Sequence, residues 1–263
     1  MNKFEILCVT MNQKDFSKIE EMNIQSNVVF ANQANDTRYD EKKFDNHLAR
    51  MITTNTLGVG KNRNTALMYA DADICLFADD DIQYVDNLEK IVLGEFKKFP
   101  NADIIIFNLD SNSNIRKQKK YTQSKKYHSW QPMPWGAVRI AFRLSSIKKS
   151  NIWFTTLFGG GCLYPSGEDS MFLTDAKRKK LKFYISDKTI GTINFDDSSW
   201  FSGYNENFYK GKGAFFKANH PYSYYLWIIY FSFRTRKNSE ISRKKQIKHM
   251  LAGVDAYSKG EKI

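Results

Sequence analysis

Cysteine is scarce in this chain, three residues in 263. Cys8, Cys75 and Cys162 lie far apart, in or beside apolar runs and without zinc-ligand spacing. That pattern excludes a disulfide framework and a structural zinc site, and it predicts buried, reduced thiols in a cytoplasmic protein. Long apolar runs are missing too. The nearest, Leu226 to Phe231 inside an aromatic stretch, falls well short of the roughly 18 to 20 residues that cross a bilayer. Met1 to Thr10 carries one lysine ahead of a short apolar stretch and does not follow the pattern of a secretory signal. No internal repeat is present. Acid is in deficit: 28 Asp and Glu against 40 Lys and Arg leave a net charge of +12. Such a surface attracts anions, whether nucleic acid, anionic lipid or phosphorylated small molecules.

What is present is the make-up of a folded protein. Apolar residues are 42% and charged residues 26% of the chain, which excludes a disordered polymer. The length suits one large α/β core. Phe4 to Val9 reads as a strand, Phe16, Ile19 and Met22 recur at helical spacing, and Val28-Val29-Phe30 reads as a second strand. Asp36 to Asn46 is polar without period and predicts a surface loop, leading to a turn at Gly58-Val59-Gly60 and a helix over Asn64 to Tyr69. Ile74 to Ala78 is a compact strand. Asp86 and Glu89 then resemble a capping box at the start of a helix bearing Leu88, Ile91, Val92, Phe96 and Phe99. Ile104 to Phe107 and Val138 to Phe142 are further strands. Asp110 to Lys126, rich in Asn, Ser, Gln and Lys, predicts a loop. Phe158-Gly159-Gly160-Gly161 and Gly167-Glu168-Asp169 form a loop entering a helix that begins near Ser170. Strands alternating with helices predict a mostly parallel, doubly wound sheet covered on both faces, with ligands beyond the strand C-termini.

Asp79-Asp80-Asp81 follows directly on the Ile74 strand. Three carboxylates side by side at the carboxyl edge of a sheet repel one another unless a cation joins them. The plainer alternative is that they end the strand and cap the next helix. With Gly58-Val59-Gly60-Lys61-Asn62-Arg63-Asn64 upstream and Gly167-Glu168-Asp169-Ser170 downstream, the order and spacing of these segments resemble the family 2 glycosyltransferases of the GT-A type, over roughly residues 3 to 217.

The resemblance implies a GT-A-type fold and a metal-dependent transferase that moves a sugar from a nucleotide-sugar, a UDP-sugar in this reading, to an acceptor hydroxyl with inversion. It gives Asp79 and Asp81 to a divalent cation, Mn²⁺ or Mg²⁺. It gives Thr10, Asn32, Gln33, Arg63, Asp79 and Asp80 to the donor. A hard cation takes carboxylate and phosphate oxygens together and offsets the charge that grows on the leaving diphosphate. Asp169 is implied as the base that takes the acceptor proton, with Glu168, Gly160 and Gly161 on the acceptor side; capping of the helix start is the alternative for the acidic pair. Where the common opening is Pro-Thr-Tyr-Asn this chain has Val9-Thr10-Met11-Asn12, so no tyrosine is offered there for base stacking. His220, ahead of Pro221, is a candidate third metal ligand, or else a structural histidine. Trp200-Phe201 resembles an acceptor-side segment of capsule-type members.

Two readings from other classes compete. A haloacid-dehalogenase-like phosphatase also sets Asp-x-Asp after a strand, and Asp196-Asp197 would supply its further acids; against it, the motif stands late in the chain and Gln83 occupies the place of its Thr or Val. A nucleic-acid-binding protein would explain the net charge and Lys177-Arg178-Lys179-Lys180, but no binding motif accompanies them. The expected layout is a glycosyltransferase domain over 1–220 and a helical tail over 221–263. In that tail Tyr222 to Phe233 is aromatic, Arg234, Arg236 and Lys237 follow, and Ile247, Met250, Leu251 and Val254 recur at helical spacing behind Arg243, Lys244, Lys245 and Lys248. Aromatic and basic together, the tail is expected on the inner face of an anionic membrane, where a saccharide or lipid-linked saccharide of a surface polysaccharide would be the acceptor. No nucleic acid is expected as a partner.

Overall fold

Continuous apolar runs, buried on both faces, pull the central strands of the first two hundred residues into one sheet. A computed structural model of the chain describes residues 3–112, 120–128, 133, 135–194, 203–235 and 239–263. The chain divides into two units. Unit 1 is Met1–Leu57, Lys61–Phe154 and Phe172–Ser198; unit 2 is Gly58–Gly60, Thr155–Met171 and Ser199–Ile263.

Unit 1 holds the sheet. Its strands are β1 (Phe4–Met11), β2 (Asn27–Gln33), β3 (Arg38–Lys43), β4 (Leu48–Thr54), β5 (Ile74–Asp79), β6 (Ile82–Tyr84), β7 (Ile104–Ser111), β8 (Lys125–Tyr127), β9 (Ile140–Arg143) and β10 (Phe183–Ile193). The spatial order is β3-β4-β2-β1-β5-β9-β7-β10-β6, with β8 on β10. The expected α/β architecture is present. The run β4-β2-β1-β5 and the pair β7-β10 are parallel, whereas β3, β6, β8 and β9 pair antiparallel with their neighbours. Successive residues of β5 bury on opposite faces, as the two-residue period of a strand dictates. Ile74, Leu76 and Ala78 join a core with Ile6, Phe30 and Phe107. Phe77 faces Phe142, Phe154 and Phe172, with ring centroids 4.6, 5.1 and 5.4 Å away. Among the helices, α1 (Lys18–Glu21), α3 (Leu88–Lys98) and α4 (Leu144–Lys149) lie in this unit; α2 (Val59–Tyr69) starts in unit 2 and runs into it, as does α5 (Glu168–Arg178).

Several local expectations change. Within the loop predicted over Asp36 to Asn46, Arg38–Lys43 is an edge strand; its charged, largely exposed side chains carry no apolar period, and they guard an edge that would otherwise invite pairing. No capping box forms at α3: Asn87 sits at its start in the left-handed region with φ 60°, and the Asp86 carboxylate instead accepts from Asn23 and Gln25. A turn of 3-10 helix, Ala137–Arg139, precedes β9 where one strand was expected from Val138. Helix α2 begins at Val59 and α5 at Glu168, earlier than predicted. Cys8 and Cys75 are buried, but Cys162 is only partly so. Part of the 110–126 segment, together with Asp196-Asp197, Trp200-Phe201, Arg236 and Lys237, lies outside the described residues.

Unit 2 is helical: α6 (Glu206–Asn219), α7 (Tyr224–Arg234) and α8 (Arg243–Lys259). Asn205 caps α6, its side chain accepting from the Phe208 amide at 2.9 Å. A Cβ on Gly213 would stand 1.8 Å from the Met250 carbonyl oxygen, and one on Gly253 1.9 Å from that of Lys210. Glycine at these two places therefore sets how closely α6 and α8 approach. Tyr209, Phe216, Ile228, Met250 and Val254 fill the space between the three helices.

Candidate active site

Register brings the expected donor residues of unit 1 to one edge. Thr10 on β1 is opposite Asn32 on β2, Met11 is opposite Gln33, Val9 is opposite Asp79 on β5, and Asn32 is opposite Thr53 on β4. Four parallel strands thus end together, and Asp80 and Asp81 form the turn from β5 into β6 just beyond that edge.

The side chains along this row differ in how they are held. The Thr10 hydroxyl donates to Asp80, and the Thr10 carbonyl accepts from Asn62 at 3.1 Å. Arg63, buried at 4% exposure, donates to Asp79 at 3.0 Å and lies over the Phe154 ring at 5.3 Å. Its guanidinium therefore balances one of the three acids. Asn32 is spent on structure: its amide donates to the Gln13 carbonyl at 2.9 Å and to Thr53 at 3.1 Å, and its oxygen accepts from the Gln13 amide at 3.0 Å. Gln33 is buried beside it, its carbonyl accepting from Asn12. Where the common opening has tyrosine, Met11 is exposed.

Asp81 is the exception. Its Oδ1 is buried with no hydrogen-bond partner. Burial, then the neighbouring Asp79 and Asp80 charges, push its carboxyl from an ordinary 3.8 to about 7. A carboxylate oxygen withdrawn from water beside two like charges is costly as an anion and well suited to a cation. The residues present thus fit a divalent ion, with Asp81 offering an uncommitted oxygen and Asp79 a carboxylate shared with Arg63. Among the described residues no three His, Cys, Asp or Glu side chains gather as a ready-made metal site. Asn62, within the Gly58–Asn64 segment, is a residue that the sequence does not single out; it is buried, and its Oδ1 also lacks a partner.

The remaining candidates belong to unit 2. Glu168 and Asp169 open α5, in the first turn, where acids favour the positive end of the helix dipole. The Glu168 carboxylate accepts from the Gly167 amide at 3.0 Å. Gly159, at φ +107°, would put a Cβ 2.5 Å from Val59 and 2.8 Å from Glu168, so only glycine fits against that carboxylate. The Gly160 carbonyl accepts from the Val59 amide at 3.0 Å, and Gly161 takes φ +76°. Burial lowers the pKa of Lys212, against the opposing pull of the Glu168 charge. The His220 ring stacks on Trp227 with centroids 4.6 Å apart.

Residues 28–160, half of the chain, match the model of the glycosyl transferase family 2. The chain belongs to that family. That membership favours the transferase reading over the phosphatase. The chain is also similar in fold to S. aureus TarS: one structure aligns over 97% of this chain and 43% of that one, with a TM-score of 0.58 and 16% identity. TarS 1-349 in complex with UDP-GlcNAc aligns over 98% of this chain and 92% of that one, with a TM-score of 0.56 and 17% identity. The TarS 1-349 complex with UDP gives 0.56 at 15% identity, over 98% and 72%. Nothing among curated proteins matches this sequence. The family 2 chain thus spans less than half of the longer TarS chain. Among the described residues no helix is long and apolar enough to cross a membrane.

Proposed function

We propose that this family 2 glycosyltransferase moves a sugar from a nucleotide-sugar, a UDP-sugar, to an acceptor hydroxyl with inversion, using Mn²⁺ or Mg²⁺. The observation that carries the reading is the buried, unpartnered Oδ1 of Asp81 at the C-terminal edge of four parallel strands. That TarS was crystallised with UDP-GlcNAc and with UDP supports the choice of donor class.

In this reading Asp81, with Asp79, holds the ion. An ion held there would supply positive charge against the diphosphate of the leaving nucleotide. Arg63 keeps Asp79 fixed in place, and Thr10 does the same for Asp80. Thr10, Asn32, Gln33, Asp79 and Asp80 mark the nucleoside side, where Asn32 shapes the pocket through Gln13. Asp169 takes the proton of the acceptor hydroxyl as that oxygen bonds to the anomeric carbon, and the carbon-oxygen bond to the diphosphate breaks with its electron pair leaving on the nucleotide. Glu168, Gly160 and Gly161 fall on the acceptor side. A saccharide or lipid-linked saccharide of a surface polysaccharide is the proposed acceptor, at the inner face of the cell membrane.

A mass-detected panel of nucleotide-sugars with Mn²⁺, offered with mono- and oligosaccharide acceptors, tests the reading. It predicts release of one nucleoside diphosphate with one new glycoside. Donors left intact across the panel, with no nucleotide bound to the protein, would contradict it.

A further inference from the structure

Helix α7 shows two unlike faces. Ile228 and Ser232 are buried against the other helices of unit 2. Tyr222, just ahead of the helix, with Tyr225, Leu226, Ile229, Tyr230 and Phe233, forms a continuous stripe at intervals of three and four, each residue between 47% and 93% exposed. Isolated exposed apolar residues are ordinary, but five adjoining on one helix face, with Tyr222 just ahead of them, mark a surface that has a partner. The helix is 11 residues long, about 16 Å at 1.5 Å per residue, or roughly half the hydrocarbon thickness of a bilayer. It can lie in an interface and cannot cross one.

Charge around the stripe selects the partner. From residue 207 to residue 239 the sequence contains no acid, while Lys210, Lys212, Lys217, Arg234, Arg236 and Lys237 fall in the same interval. Cations stand against aromatic rings at both ends of the helix: Lys217 Nζ lies 4.7 Å from the Tyr224 ring centroid and the Arg243 guanidinium 4.5 Å from that of Phe233. Arg243, Lys244, Lys245 and Lys248 are all exposed. Two copies of this face placed together would oppose cation to cation. An anionic lipid surface meets both features, since the apolar stripe enters the acyl boundary, tyrosine rings suit the headgroup depth, and lysine and arginine meet the phosphates.

We infer that the exposed face of α7, rimmed by Lys217, Arg234 and the basic start of α8, docks flat on an anionic bilayer surface. This goes beyond the transfer reading and needs no donor for its test. The full chain is sedimented at physiological salt with phosphatidylcholine vesicles, with and without phosphatidylglycerol, and its mass in solution is measured by light scattering. The parent is expected in the pellet only with the anionic lipid. The triple variant Leu226→Gln, Ile229→Gln, Phe233→Gln, which changes exposed side chains, is expected to lose at least about tenfold in partitioning. A second variant, Arg243→Glu, Lys244→Glu, Lys245→Glu, Lys248→Glu, leaves the apolar stripe intact and is expected to lose about a hundredfold or more. Circular dichroism confirms that each variant is folded. The inference is overturned if the parent stays in the supernatant, if a folded variant sediments like the parent, or if the parent is a dimer that the triple variant converts to monomer, since the stripe would then belong to a second copy of the chain.

Discussion

Replacing Asp81 by Asn should stabilise the metal-free protein. The carboxyl of Asp81 is pushed from 3.8 to about 7 by burial and by Asp79 and Asp80. A group whose folded pKa lies above its unfolded value contributes stability only below the unfolded value, and that contribution is lost as pH rises through the window from 3.8 to about 7. Above pH 7 the charged form costs the folded state roughly 4 kcal/mol before screening; solvent still reaches part of the group, which brings the figure to about 2 kcal/mol. Asparagine removes the charge and nearly keeps the shape. In EDTA at pH 8 the variant should therefore melt about 5 °C above the parent, and near pH 4 the two should coincide. Added Mn²⁺ should raise the melting temperature of the parent and leave that of the variant in place. A variant that melts below the parent at pH 8 in EDTA would refute the reasoning, because it would mean that the carboxylate is satisfied by protein partners.

Three further outcomes follow from the same geometry. Asp169→Asn should retain nucleotide binding by calorimetry while turnover falls by about 10² to 10⁴, the loss expected when a general base is removed; near-full activity would leave Glu168-Asp169 as a helix start. Gly213→Ala places a methyl 1.8 Å from the Met250 carbonyl and should destabilise unit 2 by about 3 kcal/mol as α6 and α8 are forced apart, read as a lowered melting temperature. Gly94→Ala, inside α3 with nothing within 4 Å of the new Cβ, should instead stabilise the protein by about 0.5 to 1 kcal/mol in denaturant titration.

The sequence shows the parts of the fold that announce themselves by apolar runs. β1, β2, β5 and β7 are buried on both faces; β2, β5 and β7 each contain an unbroken apolar run, and that of β1 is broken only by Glu5, whose carboxylate pairs with Arg50. β10 escaped because Asp187 and Lys188 interrupt it at an irregularity of its register with β7, although it is 11 residues long. β3 escaped because an exposed edge strand of charged residues has no period to read. Helix α6 was hidden by Gly211 and Gly213, residues poor in helix propensity that are present because Pro165 and Met250 leave no room for a Cβ. At the site, the acidic triplet was legible as chemistry, but the division of labour within it was not. That Arg63 engages Asp79, that Thr10 engages Asp80, and that Asp81 is left with an open oxygen depends on the register of four strands. Asn62 carries a signal only through its place in the Gly58–Asn64 segment.

The central claim is that Asp81 couples nucleotide binding to a divalent cation. Calorimetric titration of UDP into the protein, with Mn²⁺ and with EDTA, for the parent and for Asp81→Ala, tests it most directly. The account predicts that UDP binds the parent tightly only with Mn²⁺ and that Asp81→Ala removes this dependence together with most of the affinity. UDP binding by Asp81→Ala with the same affinity and the same dependence on Mn²⁺ as the parent would contradict it.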